Sequence, residues 1–461
     1  ALAVAGTDAP EVYVTERFGM EAYRFQVPDG TYALRLHFAE TYEGITAAGE
    51  RVFDVTVNGR EALAGLDVFA DAGGLARPVV RRLDGVEAVD GELRIGFHPR
   101  VQNAEINGIE LIATGTTERE AEQMAEELAR RPAEEDVGSV MLEELEWHPQ
   151  WITRLGCIEG GLTYLGREVS RPWLAGTSGY AFALNIEKQL CPSAPFTWDN
   201  GEAFDALARN AGYSIARVTD SPEREADEAR RAAWEMVREW LDAGTPCFSF
   251  DIGGGEYFVV HGYDKGGYYY RGFDNSSQGP IPWQALGTTG IVGVVHMASV
   301  HLTNPADDRT AVRDALGYAL DMQEEAEEDN YTSGLRAYDT WIAALRDPGV
   351  NPHGASFNAQ YWAECRRLGV AFLEDARGRL DGPGLSALFD EALEHYRTVS
   401  EHLNAVAEAL PMDNQWGRRL KDEELVDGLI AHLRAAHAAE AEGLEALARI
   451  VVALGGEASD V

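Results

Sequence analysis

The chain has 461 residues, 45% hydrophobic and 9% aromatic, more than one core usually supports, which predicts two or three well-packed domains. Its formal net charge is -38, and with only Lys188, Lys265 and Lys421 as lysines nearly all the positive charge is arginine. A surface of that sign repels phosphate backbones and anionic lipid heads, and no basic patch offsets it, so nucleic acid and acidic membranes are excluded as expected partners.

Cys157, Cys191, Cys247 and Cys365 are scattered without CxxC spacing, so neither a metal site, a cofactor site nor a disulfide framework is expected. No apolar run approaches the about 20 residues of a membrane helix, and membrane insertion is not expected. The opening Ala1-Leu-Ala-Val-Ala-Gly6 lacks a basic leader, so no signal peptide is expected there. Both a cytoplasmic and a processed, secreted protein remain open. Nothing in the sequence sets an oligomeric state.

In chain order, residues 1–113 alternate apolar and polar residues over short runs such as 31–38, 52–57 and 92–97. That period fits half-buried antiparallel strands. Pro28-Asp-Gly30, Asn58-Gly59 and Asp90-Gly91 supply the turns between them, so this part reads as an antiparallel β-sandwich. Residues 114–137 are rich in charge and helix formers and are expected to form a linker helix.

Residues 138–303 change to a mixed α+β pattern. A glycine-flanked helix is expected from about Cys157 and another over 223–243, with strands at 246–251, 257–263, 267–273 and 291–302. After Asn304-Pro305 five amphipathic segments, roughly 308–328, 334–346, 355–379, 384–409 and 418–454, read as a C-terminal α-helical bundle of 304–461. Its aromatic residues Tyr338, Trp341, Tyr361 and Trp362 are expected in the core.

Several strings in the first part occur in one order: Tyr13-Val-Thr-Glu-Arg-Phe18, His37-Phe-Ala-Glu-Thr-Tyr42, Arg51-Val-Phe-Asp-Val-Thr-Val-Asn-Gly59, Leu66-Asp-Val-Phe69 and Ile106-Asn-Gly-Ile-Glu-Leu111. With them the segment resembles the malectin family of carbohydrate-binding domains. The resemblance implies a sandwich whose loop aromatics stack on sugar rings while an acidic group bonds the hydroxyls. Tyr42 matches a stacking tyrosine and Phe18 falls at a tyrosine position, and Tyr13 and Asp54 are further candidates for sugar contact. Glu43 stands where that family often has a second aromatic residue, and Gln102 stands near the site of that family's acidic partner, two departures from its pattern. A sandwich kept only for packing is the competing reading.

The middle part carries the pattern of a thiol site. Gln150 precedes Cys157 by seven residues, Cys157 lies at the expected start of a helix, and His261 and Asp274 follow on successive strands. A helix N-terminus favours a thiolate. An upstream glutamine amide suits an oxyanion, and a histidine with a carboxylate forms a base and its orienter. Gly156-Cys-Ile-Glu-Gly-Gly-Leu-Thr-Tyr-Leu-Gly166, Leu174-Ala-Gly-Thr-Ser-Gly-Tyr-Ala-Phe182, Val259-Val-His-Gly-Tyr-Asp264 and Tyr268-Tyr-Tyr-Arg-Gly-Phe-Asp274 resemble the papain-like fold, in particular bacteriocin-leader peptidases and the N-terminal domain of butirosin-type acyltransferases. Those families place their histidine six residues before the glycine of Gly-Tyr-Asp, and here that position holds Glu256. A carboxylate beside a cysteine raises the thiol pKa and removes its activation.

Two readings follow for this part. One is a non-catalytic domain that holds a peptide or small-molecule ligand. The other is a cysteine-dependent hydrolase or acyltransferase using Cys157, His261, Asp274 and Gln150. Cys157, His261 and Cys247 also read as core residues, Asp274 as a turn closure, and Ser178 as an incomplete serine elbow. His148 is a residue near the cleft with no assigned role.

Overall fold

The computed structural model describes residues 4, 7, 10–13, 16–20, 22–27, 29–42, 44–89, 91–113, 138–197, 202–219, 226–288, 290–323, 330–382, 384–413 and 416–456. The linker helix expected over 114–137, as well as Pro28, Glu43 and Asp90, lie outside these residues. The chain forms two compact units, Ala1–Glu135 and Asp136–Val461.

Unit 1 is built from β1 (Arg17–Phe18), β2 (Ala22–Gln26), β3 (Gly30–Phe38), β4 (Val52–Val57), β5 (Arg60–Leu66), α1 (Val68–Ala72), β6 (Val79–Ala88), β7 (Glu92–Val101), β8 (Glu105–Ile106) and β9 (Gly108–Ala113). Antiparallel sheets ordered β2-β7-β4-β5 and β6-β3-β9 share one core, and β1 pairs with β8. This is the antiparallel sandwich that the alternating pattern predicts. Along β3 the residues Tyr32, Leu34, Leu36 and Phe38 are buried while Arg35 and His37 face outward, as a period of two requires. Phe38, Phe53 and Phe97, from both sheets, meet at ring separations of 5.9 and 6.4 Å to tie the layers together. Asn58 takes φ 48° and Gly59 φ 76° in the two-residue turn between β4 and β5, the left-handed pair that an Asn-Gly hairpin demands.

Unit 2 begins with β10 (Val140–Met141), α2 (Thr153–Tyr164), α3 (Arg171–Thr177), β11 (Asn185–Glu187), α4 (Glu202–Asn210), β12 (Tyr213–Thr219) and α5 (Ala226–Asp242). It continues with β13 (Cys247–Phe250), β14 (Tyr257–Asp264), β15 (Gly267–Arg271), β16 (Gln278–Ile281), β17 (His296–Leu302), α6 (Asp308–Asp321) and β18 (Tyr331–Ser333). The last elements are α7 (Arg336–Ala344), α8 (Pro352–Arg379), α9 (Leu385–Ala409), α10 (Trp416–Arg419) and α11 (Glu423–Ala453). One antiparallel sheet runs β12-β17-β13-β14-β15-β16, with β10 added to β14.

Three features differ from expectation. The helix around Cys157 starts at Thr153, so the cysteine lies one turn inside it. The strand expected from 291 starts at His296, because the loop before it is bound to Asp251. The helices beyond 304 do not stand apart: β18 pairs with β11, and the sheet and the helices contribute to one continuous core. Within it Arg366 of α8 bonds the carbonyls of Ala181 and Ala183 and forms a buried ion pair with Glu440 of α11 at 2.6 Å. Tyr338, Trp341, Tyr361 and Trp362 are fully buried.

Candidate functional site

In unit 1 the two candidate sugar-stacking rings sit on short segments tied to each other. Phe18, in β1, is 50% exposed. Two residues earlier, Glu16 accepts the Thr41 hydroxyl at 2.6 Å, which holds the segment carrying Tyr42 beside the start of β1. Tyr42 leans on Gly44, where a Cβ would stand 2.3 Å from the ring. A surface groove of about 320 Å³ is lined by Glu16, Arg17, Tyr23, Phe25, Asn107 and Ile109, and neither Phe18 nor Tyr42 is part of its lining. Arg17 caps the Tyr23 ring at 5.5 Å.

The other two candidates are placed elsewhere. Tyr13 is 2% exposed, with its hydroxyl bonded to His37 Nδ1 at 2.9 Å, so it presents no ring face to solvent. His37 Nε2 in turn bonds Glu110 at 2.7 Å. Asp54 lies along β4, where its carboxylate accepts the Gly65 amide and the Arg100 guanidinium. These bonds hold its carboxyl below the usual range, and it works as a strand staple. Gln102 is exposed in a left-handed turn at φ 58°.

The buried acids that neighbour Tyr42 and Phe18 along the backbone were not found from the sequence. Glu40 is fully buried, accepts the Tyr42 amide at 3.1 Å and pairs with Arg51 at 3.1 Å. Glu105, opposite Phe18 in the β1–β8 ladder, is fully buried, and neither carboxylate oxygen has a hydrogen-bond partner. Burial pushes Glu40 up to about 7 and Glu105 well above the usual range, with Glu16 adding repulsion to both and Arg51 opposing it. The available signal was Glu40 directly following the inward residues Phe38 and Ala39, a charge where the buried end of a strand continues.

In unit 2 the glycines around Cys157 are packing devices. A Cβ at Gly156 would stand 2.5 Å from the His148 carbonyl oxygen, and one at Gly160 2.0 Å from that of Glu146, so only glycine lets segment 146–148 cross α2. Thr153, the first residue of α2, donates its hydroxyl to Glu256 at 2.6 Å and accepts the Tyr257 amide at 3.3 Å. Cys157 follows one turn later on the same helix face and is 1% exposed. Burial raises its thiol pKa well above the ordinary value, Arg154 opposes that, and Glu256 adds to it only when ionised. Glu256 is itself pushed by burial to about 8, so it is protonated at neutral pH. Arg154 lies over the rings of Phe204 and Tyr257 at 4.6 and 5.6 Å.

His261 does not join this group. Its Nε2 bonds Ser277 at 2.9 Å, and its Nδ1 is buried without a hydrogen-bond partner. Burial, helped by the charge of Arg271, lowers it to about 4. The register of β14 against β15 shifts between Val260 and Gly262, which marks a bulge at this histidine. Asp274 is exposed and closes a turn by accepting the Ser276 amide and hydroxyl. The Gln150 amide donates to Glu159 at 2.8 Å, in a cluster that also holds Arg171 and His148, which directs one of its two N–H groups at that carboxylate. Among the described residues no hydrogen bond links Cys157, His261 and Asp274. Ser178 is buried and bonds the Leu174 carbonyl four residues back, while Cys247 is core. No three His, Cys, Asp or Glu side chains among the described residues form a metal-binding group.

The fold of unit 1 and the order of its strings agree with a comparison against known families. The Malectin domain family model matches residues 2–116. This segment is similar to the malectin domain family. Mouse (Mus musculus) malectin is 38% identical over 65 residues, covering 13% of this chain and 22% of that protein. A probable LRR receptor-like serine/threonine-protein kinase of Arabidopsis thaliana is 31% identical over 93 residues, covering 19% of this chain and 9% of the kinase. The chain therefore spans less than a quarter of either relative. A crystal structure of a Bacteroides uniformis beta-glucuronidase aligns with 24% of this chain and 13% of its own at 25% identity and a TM-score of 0.22. The malectin match ends at residue 116, and unit 2 is read from its own residues.

Proposed function

We propose that the protein binds a glycan through its malectin-like domain, and that unit 2 is a papain-like domain without thiol chemistry that holds a peptide or small ligand. The observation that carries the glycan reading is an exposed aromatic, Phe18, tied through the Glu16–Thr41 bond to the segment where Tyr42 rests on Gly44. The exposed Phe18 ring and the half-buried Tyr42 ring are aromatic groups of the kind that stack on the C–H face of a sugar. Retention of the full chain on a panel of immobilised neutral glycans is the test. Micromolar binding to at least one is expected, and silence across the panel removes the reading.

The non-catalytic reading of unit 2 rests on Glu256. A side chain bonded to Thr153 beside Cys157 occupies the position where the resembling families keep their base. It is an acid, protonated near neutrality, and neither takes a proton from the thiol nor favours a thiolate. A chloroacetamide probe at pH 7.5 is expected to label Cys157 at least about a hundredfold more slowly than an unhindered thiol, since only the thiolate reacts. Labelling as fast as the free thiol restores the hydrolase or acyltransferase reading.

A further inference from the structure

The two long C-terminal helices meet at a pair of histidines that lies outside both sites described above. His402 on α9 and His432 on α11 bring their Nδ1 atoms to 2.9 Å, with ring centroids 5.2 Å apart and ring planes at 50°. Both residues are half-buried. Each helix fixes its histidine from the core side. Val399 and Leu403 flank His402, Leu429 and Leu433 flank His432, and all four are 1% exposed or less. The rings therefore stand at the rim of an apolar seam, and their stems are placed by helix packing, not by loops.

A hydrogen bond between two Nδ1 atoms uses one ring as donor and the other as acceptor. Moving the donor's proton to its own Nε2 leaves two Nδ1 lone pairs facing one point, and the pair neither gains nor loses a proton. At metal–nitrogen distances of about 2.0–2.1 Å, nitrogens 2.9 Å apart subtend about 90° at a shared cation. That is the cis angle of square-planar or octahedral coordination, whereas a tetrahedral ion asks for nitrogens about 3.3 Å apart. Imidazole donors at a right angle suit copper(II) and nickel(II). The chain's net charge of -38 also concentrates cations around it.

We propose that His402 and His432 form a two-histidine site for a late first-row divalent cation, nickel(II) or copper(II), with water in the remaining positions, and that the bound ion ties α9 to α11. Two protein ligands leave most of the coordination sphere to water, so the ion exchanges readily. Because the ligands come from two helices 30 residues apart in sequence, the ion binds the folded chain in preference to the unfolded one and stabilises unit 2.

The test is calorimetric titration of nickel chloride into the full chain at pH 7.5, as wild type, His402→Gln and His432→Gln. Wild type is expected to show one saturable site per chain. Groups outside a coordination sphere are already worth about tenfold in affinity, so losing a ligand should weaken binding at least about tenfold in each variant. Nickel at a hundred times its wild-type Kd should raise the melting temperature of unit 2 by about 4 °C, and by about half that or less in either variant. No saturable site, or unchanged affinity in either folded variant, overturns the proposal. Zinc bound more tightly than nickel overturns the choice of cation. Copper(II) gives a readout that needs no variant: its electron paramagnetic resonance spectrum should carry splitting from two imidazole nitrogens, and splitting from one or none overturns the site.

Discussion

A methyl group added at residue 44 would stand 2.3 Å from the Tyr42 ring, closer than real side chains pack, so Gly44→Ala must push that ring out of place. The expected result is a loss of about 1–3 kcal/mol in unit 1 stability, as for other overpacked sites, together with weaker glycan binding. Gly49→Ala, with open space around its Cβ, controls for loop rigidity, although its φ of 88° adds some strain. Calorimetric unfolding of the two variants separates these effects. At this scale part of the site was legible: the string His37-Phe-Ala-Glu-Thr-Tyr42 carried Tyr42, and counting back from Gly262 placed Glu256. The thiol triad was not, because a buried cysteine and a nucleophilic one leave the same letter in the sequence. Only Thr153 bonded to Glu256, and His261 bonded to Ser277, tell them apart. Tyr13 was misplaced for a similar reason, since its partner His37 lies 24 residues away.

Among the elements of unit 2, the loop before β17 is held by one carboxylate. Asp251, 1% exposed at φ 64°, accepts the amides of Ile291, Val292 and Gly293 at 2.6, 2.9 and 2.7 Å. A Cβ at Gly290 would collide with it at 2.0 Å. Removing the carboxylate leaves three amides without their acceptor, so Asp251→Ala is expected to cost about 3 kcal/mol or more and to open the loop to proteolysis near Ile291 and Val292, both more than half exposed. A variant as stable and as resistant as the wild type would show that the loop is held otherwise. This loop explains why the strand expected at 291 begins at 296. Similarly, β12 went unread because Tyr-Ser-Ile-Ala-Arg-Val-Thr alternates weakly and is buried mainly at its ends. The long amphipathic helices were legible because a 3.6-residue period survives over many turns, whereas β11 and β18, three residues each, are too short to leave a period.

For the molecule as a whole, buried titratable groups set opposite limits on stability. Glu256 holds its proton more tightly folded, at about 8, than unfolded, so its contribution is lost as pH rises from the ordinary carboxylate range through 8. His261 and His296 are held neutral by burial at about 4 and about 3, so their contribution is present above the ordinary histidine value and is lost as pH falls toward those points. Unit 2 is therefore expected to melt highest between about pH 6 and 7, and Glu256→Gln should flatten the alkaline limb. A melting profile that keeps rising to pH 9 contradicts this assignment. The three-part division read from the sequence followed a real change of pattern at 304. It did not follow the packing, because Arg366 and Glu440 join the helices to the segment around Ala181 deep in one core.

The central claim is that the molecule recognises glycans through two aromatic rings and does no chemistry at its cysteine. Calorimetric titration of the best-binding panel glycan into wild type, Tyr42→Ala and Cys157→Ala tests it most directly. The account predicts affinity about tenfold weaker for Tyr42→Ala, from the loss of one stacking ring, and equal affinity for wild type and Cys157→Ala, with the glycan recovered intact. Undiminished binding by Tyr42→Ala, or glycan altered by the wild type but not by Cys157→Ala, would contradict it.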